Sequence, residues 1–453
     1  MRLFVLSAFI LLSFFLPFPF TALRAEDALP EQKTAPAMAA VTDEAQRIYQ
    51  NHGDAVYQVQ VIDLASGKKN SIGSGFQFNA EGMIATNYHV VAEALQRPDS
   101  NRLEYLHDRG GGGALKILMV DVVRDLAVVQ MDKPGKTFVA LGSSGLPKGT
   151  RLFALGNPHD IGFTIIEGTY NGLSQDSFID KIHFSGALNP GMSGGPALNH
   201  DGQVVGINVS TAGNQISFLV PVEPLRQLLA DYAARPAGFD FPADANRHIQ
   251  EQLLAYQEKI FGVLLDGKPW ESVPFGPVMA PGRIHNVFRC WGGQAHQEKD
   301  PFRHFGSTCS SQDELFLDSY LDTGVYLYRY DQIVGKERLP LARFYSLYES
   351  RYSQPLDMDR EVQEDDLTNF ECNDGFVDAA GLRWKTSFCV RQYKKYPSLW
   401  DMHLYMALVG EGRQGLMVSV AAEGVSRKNA LGVARRFMRE IRPAEARQTG
   451  EGG

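Results

Sequence analysis

The chain has 453 residues, 44% hydrophobic and 21% charged, an ordinary balance for a folded soluble protein and enough length for more than one domain. Its net charge of −8 works against nucleic acid or an anionic membrane as the main partner, because both select basic faces.

The first 25 residues differ from the rest. Arg2 precedes an apolar run over 3–16 broken only by Ser7 and Ser13; Pro17 and Pro19 follow, and Ala25 stands ahead of Glu26 and Asp27. A charged start, a short apolar stretch and a small residue before a polar segment describe a secretory signal peptide over 1–25. An uncleaved anchor is the competing reading, but a spanning helix needs about 20 apolar residues, and the prolines count against one. The expectation is therefore an exported protein, periplasmic or secreted, with no stable membrane span after cleavage. Residues 26–41, rich in Ala, Pro and Glu, read as a disordered spacer.

A short helix is predicted over 42–51, capped by Thr42 or Asp43. From 55 to about 220, short runs rich in Val, Ile and Phe recur between glycine and asparagine turns. Strands are predicted at 56–62, 72–78, 117–120, 126–131, 152–155, 163–166, 204–209 and 216–220. Many short strands with few helices indicate an antiparallel barrel or sandwich. The four glycines 110–113 read as a mobile loop; no following Lys-Ser/Thr supports a phosphate cradle. A helix over 222–233 places Leu225, Leu228 and Leu229 on one face. Residues 236–245 then make a linker, with Pro236, Gly238 and Pro242.

Residues 246–445 read as an α+β domain opening with a helix at 249–260 and closing with one at 427–441. Strand-like runs lie between them at 315–317, 326–328, 384–390 and 402–409. Its four tryptophans, Trp270, Trp291, Trp384 and Trp400, are read as core. All four cysteines lie here: Cys290, Cys309, Cys372 and Cys389. None are spaced as Cys-x-x-Cys, so a zinc ribbon or redox motif is not indicated, and no metal or other cofactor is expected. In an exported chain an even count suggests two disulfides among three pairings. The nearest-neighbour one, Cys290 with Cys309 and Cys372 with Cys389, is favoured over four free thiols.

Chemistry concentrates in three places. In Gly191-Met192-Ser193-Gly194-Gly195-Pro196, glycines let the backbone turn so that the N–H groups of Gly191 and Ser193 face one point as an oxyanion hole, and Gly194 and Gly195 leave room for substrate. A nucleophile elbow would open a helix after the serine, whereas Gly195-Pro196 and the turn Asn199-His200-Asp201-Gly202 suit a strand and hairpin. His89, in Ala85-Thr86-Asn87-Tyr88-His89-Val90-Val91, is the general base. Asp125, directly ahead of the apolar run Leu126-Ala127-Val128-Val129, orients it, and Asp121 is the nearest competitor. His52, His107, His183 and His200 have no partner pattern and are read as surface or packing residues.

Taken in order, these stretches resemble the HtrA/Deg family of the chymotrypsin-like clan. Gly73-Ser74-Gly75-Phe76, Gly156-Asn157-Pro158, Gly206-Ile207-Asn208 and Ile216-Ser217-Phe218-Leu219-Val220-Pro221 join the three motifs above. The likeness covers 42–235. It implies an all-β, double six-stranded-barrel trypsin-like protease domain, followed by the separate α+β C-terminal domain. His89 would act as base and then acid, Asp125 would orient it, and Ser193 would attack a peptide carbonyl. Met192 departs from the Asn or Asp usual there. In this clan the residue six before the serine, here Ala187, sets the base of the specificity pocket, with Asn208, Val209 and Ser210 as a wall. No acidic residue stands there, so cleavage after small or medium aliphatic residues is expected. No carboxylate-binding loop of the PDZ kind is evident after 245, and that region is read as substrate-recruiting or regulatory. The expected function is an exported serine endopeptidase acting on polypeptides in extracytoplasmic quality control or processing. The rival is a silent relative kept for binding. Nothing in the sequence supports oligomerisation or excludes it.

Overall fold

The computed structural model describes residues 41–444 apart from 212, 214–215, 237, 296–298 and 353–363; the expected signal peptide and spacer lie outside the described residues. Helix α1 (Val41–His52) leads into strands β1 (Val56–Asp63), β2 (Lys69–Gln77) and β3 (Met83–Thr86). Helix α2 (Tyr88–Gln96) and strands β4 (Asn101–Leu106), β5 (Gly112–Asp121) and β6 (Leu126–Met131) follow. These six strands close into an antiparallel barrel in the order β1-β2-β3-β6-β5-β4. Strand β1 shows why. Val59 and Val61 alternate with Gln58 and Gln60, and all four are buried. The buried glutamines satisfy one another and a neighbour: Gln58 donates to Asp160 at 2.8 Å and accepts from Gln60.

The second barrel is built from β7 (Arg151–Gly156), β8 (Thr164–Leu173), β9 (Ile182–Phe184), β10 (Pro196–Leu198), β11 (Val204–Thr211) and β12 (Ser217–Pro221), closed as β10-β11-β12-β9-β8-β7. Helix α3 (Val222–Ala233) buries Leu225 and Leu228 as its spacing requires. Helix α4 (Phe241–Leu264) begins inside the stretch expected as a linker, with Pro242 in its first turn, where a missing N–H costs nothing.

The remaining strands are β13 (Ser272–Phe275), β14 (Val278–Pro281), β15 (Phe288–Ala295), β16 (Phe302–Ser311), β17 (Leu315–Asp318), β18 (Leu321–Thr323) and β19 (Tyr326–Gly335). After helix α5 (Leu341–Tyr352) come β20 (Glu371–Ala379), β21 (Leu382–Gln392), β22 (Trp400–Leu408) and β23 (Gln414–Val425), then helix α6 (Arg427–Glu440) and β24 (Arg442–Pro443). Seven of them form one antiparallel sheet ordered β15-β16-β19-β23-β22-β21-β20, and β17-β18 is a separate hairpin. Cys290–Cys309 and Cys372–Cys389 are disulfides, each joining directly opposed residues of neighbouring strands.

Two further expectations change. Of the glycine run, Gly110 and Gly111 make a turn at φ 87° and 88°, while Gly112 and Gly113 begin β5. A Cβ on Gly112 would meet the Tyr105 carbonyl at 2.3 Å, so close strand approach, and not mobility, explains that glycine. Trp291 is 72% exposed, whereas Trp384 is fully buried. The C-terminal region differs in architecture from the barrels but is not loosely attached: one continuous apolar core runs from Val59, Tyr88 and Val128 through Phe261 to Leu317, Tyr328 and Val420.

Candidate active site

Asn87 stands at the N-terminal edge of α2, just after β3, and presents His89 in the first turn. Asp125 occupies the turn between β5 and β6 with φ 55°, a left-handed conformation that Asp tolerates better than most residues. The Asn87 side-chain amide donates to the Asp125 carbonyl at 2.8 Å and holds that turn. The Asp125 carboxylate then faces His89 twice, accepting from Nδ1 at 2.6 Å and from the backbone N–H at 2.8 Å. Two bonds to one residue fix both the carboxylate and the ring. Burial works to lower the His89 pKa, but the charge of Asp125 and its hydrogen bond raise it further, so the net displacement is upward. Asp121 is engaged elsewhere, with the Arg124 backbone at 3.0 Å and its guanidinium at 2.8 Å.

Ser193 is packed between the barrels. Its carbonyl accepts from Ser74 N at 2.7 Å, which brings β2 against it. Its hydroxyl donates to the Val209 carbonyl at 3.2 Å, not to His89. That carbonyl is available because the β11–β12 register shifts between Asn208 and Ser210, a bulge that leaves Val209 out of the ladder.

The loop before Ser193 is tied down carbonyl by carbonyl. Pro190 O accepts from His159 N at 2.9 Å. Gly191 O accepts from Ser74 Oγ at 2.7 Å. Met192 O accepts from Gly195 N at 3.1 Å and from Asn208 Nδ2 at 3.2 Å. In a trans peptide the N–H points opposite its carbonyl. The N–H groups of Gly191 and Ser193 are thereby turned away from these partners, and neither donates to another described residue. Position 191 requires glycine on two counts: its φ is 95°, and a Cβ there would meet Asn157 O at 2.4 Å.

The next two glycines serve packing. A Cβ on Gly194 would lie 2.2 Å from Ser74 O, and one on Gly195 2.0 Å from Leu155 O. The close approach of neighbouring backbone is itself enough to demand glycine at both positions. Met192 is fully buried in the second barrel, so its side chain acts as an apolar anchor. Among the expected pocket residues, Ala187 is exposed and Val209 half-buried. The Asn208 side chain is turned inward to Leu155 O at 3.0 Å and to Met192 O, bracing the loop from behind.

Sequence reasoning missed the supporting groups Ser74 and Asn87, although each lies within a quoted motif, and it gave Asn208 to a pocket wall, whereas its side chain braces the Ser193 loop. It also missed those from the C-terminal half, for which no local signal exists. Gln252 of α4 grips the strand leading to Asp125, accepting from Val122 N at 2.9 Å and donating to Val120 O at 2.7 Å. Tyr88, next to His89, donates to Leu317 O at 2.6 Å. The Phe316 ring stands edge-on to the His89 imidazole with centroids 6.0 Å apart.

Residues 73–207 match the family model of the trypsin-like peptidase domain. "Serine protease HTRA1A" of Danio rerio is 34% identical over 186 residues, which are 39% of this chain and 36% of that relative. "Probable periplasmic serine endoprotease DegP-like" of Marinomonas sp. is 34% identical over 149 residues, 31% of this chain and 30% of the relative. The chain thus spans well under half the length of these curated relatives. Among solved structures, a crystal structure of Deg5 aligns over 41% of this chain and 92% of its own, with 26% identity and a TM-score of 0.36.

Proposed function

With an N-terminal half that is an HtrA-like domain of the trypsin fold, we propose that this chain is an exported serine endopeptidase cleaving polypeptides through Ser193, His89 and Asp125. The observation that carries the reading is the paired contact of Asp125 with the ring and backbone of His89. It fixes the tautomer whose Nε2 is free to accept the serine proton. His89 is the base for attack and the acid for departure of the amine. The N–H groups of Gly191 and Ser193 receive the oxyanion, and the tied carbonyls of 190–192 support that role. The absence of an acidic residue at the expected pocket position, Ala187, favours cleavage after small or medium aliphatic residues. Quality control or processing of exported proteins is the role proposed for it.

One observation favours a second reading, a latent or purely binding protein: the Ser193 hydroxyl is spent on Val209 O. A substrate amide N–H that takes over this carbonyl would release the hydroxyl to His89, so substrate binding itself would complete the triad. Digestion of an unfolded protein, with mapping of the cut sites, separates the readings. The expected result is cuts after Ala, Val or Ile that vanish in Ser193→Ala; cuts after Arg or Lys, or identical cutting by the variant, would refute the proposal.

A further inference from the structure

The hairpin β17-β18 places an aromatic side chain from the C-terminal half beside the imidazole. Along β17, Leu315 and Leu317 are buried at 3% and 1% exposure, and Phe316, pointing the other way, is only half-buried. Its ring meets both His89 at 6.0 Å and Tyr88 at 6.3 Å between centroids, each edge to face. The His89 side chain is itself 29% exposed, so the two rings share one solvent-facing surface.

The hairpin is held at several points. Before it, Asp313 accepts from Ser177 Oγ and from Phe178 N at 2.7 Å, on the loop between β8 and β9. Within it, Leu317 O takes the Tyr88 hydroxyl. At its end, the buried Asp318 lies 3.6 Å from Lys395. One short segment therefore contacts both barrels, at the helix bearing His89 and at a loop of the second barrel. A side chain anchored in this way makes a fixed boundary.

We propose that Phe316 is a specificity-determining residue: it walls the substrate cleft on the imidazole side and limits the side chain just before the scissile residue. This rests on the serine endopeptidase reading. A chain lying between the Val209 bulge and His89 carries that preceding side chain across the imidazole, where the Phe316 ring bounds the space with an apolar edge. The C-terminal half thereby completes the cleft directly, beyond any recruiting of substrate from a distance. Small and medium apolar residues fit the bounded space; aromatic ones do not.

The test uses two fluorogenic peptides that differ only in this residue, Ala or Phe, with kcat/KM measured for the full chain, Phe316→Ala and Phe316→Leu. The wild type is expected to favour Ala. Phe316→Ala is expected to shift the Phe/Ala ratio at least about tenfold toward Phe, within the range that pocket shape commands, and Phe316→Leu to shift it less in the same direction. The ratio is internal to each variant, so a uniform loss of folded enzyme leaves it unmoved, and Phe316→Leu decides if the alanine variant does not fold. A ratio unchanged in folded variants overturns the assignment of Phe316 while leaving the protease intact. A folded wild type that neither cleaves the peptides nor reacts at Ser193 with a fluorophosphonate overturns the endopeptidase reading, and this inference falls with it.

Discussion

Tyr88 is fully buried and donates its hydroxyl hydrogen to the Leu317 carbonyl at 2.6 Å, so the residue next to His89 is bonded to the C-terminal half of the chain. Tyr88→Phe keeps the ring and its packing but leaves that buried carbonyl without its donor. A loss of about 1–3 kcal/mol in unfolding free energy is expected from urea titration. An unchanged midpoint would mean that the contact does not hold the two regions together.

The pH dependence follows from His89. Its net upward displacement means that the imidazolium persists to higher pH than in an ordinary histidine. If His89 is the general base, as proposed, it must be neutral to act, so kcat/KM for a short peptide should fall as pH drops, with a midpoint above about 6.5. The sign for stability is opposite. A raised folded pKa stabilises the protein below the unfolded value, and this contribution is lost as pH rises through the folded one. A rate profile with its acid midpoint well below 6.5 would contradict the Asp125 contact as the dominant influence.

Asp125→Asn should preserve the fold yet impair the tautomer. By the behaviour of such triads, kcat should drop by about 10⁴-fold. A comparable loss in Asp121→Asn, whose carboxylate serves Arg124, would transfer the orienting role to the wrong aspartate.

Two glycines with left-handed backbone, one crowded and one open, should answer differently to alanine. At Gly194, φ is 87° and the new Cβ would meet backbone and the Thr86 hydroxyl at 2.2–2.3 Å, so a loss of about 3 kcal/mol or more is expected. Gly149, at φ 91°, has nothing within 4 Å of its Cβ position, and should lose only about 1–2 kcal/mol. Equal losses in thermal melts would show that inter-barrel packing is not what the first glycine serves.

The disulfides close short loops, with sequence separations of 19 and 17 residues. Each should contribute about 3 kcal/mol through the unfolded state. Peptide mapping without reductant should recover Cys290 with Cys309 and Cys372 with Cys389, and reduction should lower the denaturation midpoint. Recovery of crossed pairs would overturn the strand registers around both bonds.

The candidate site is legible in the sequence where its parts are local. His89, Asp125 and Ser193 each sit in a short segment whose turn chemistry and flanking apolar strand can be read directly, and the barrel strands 126–131 and 204–209 carry plain Val and Ile runs. Long-range partners leave no such trace. Nothing near Phe316, Asp313 or Gln252 announces a neighbour more than 100 residues away, because such contacts follow from packing of whole elements. Strand β20 was hidden by composition: Glu371–Ala379 is largely exposed and polar, so it lacks an apolar alternation. Helix α5 buries only Phe344 fully, too little for a periodic stripe. The glycines 194 and 195 were recognisable as necessary, but their reason, backbone against backbone, emerges only in three dimensions.

The proposed triad requires an activated nucleophile at Ser193. The decisive measurement is reaction of the protein with a fluorophosphonate probe, followed by mass mapping. A single adduct is expected on Ser193, lost in Ser193→Ala and strongly slowed in His89→Ala. Absence of any adduct on well-folded protein, or an adduct on another residue that survives Ser193→Ala, would contradict it.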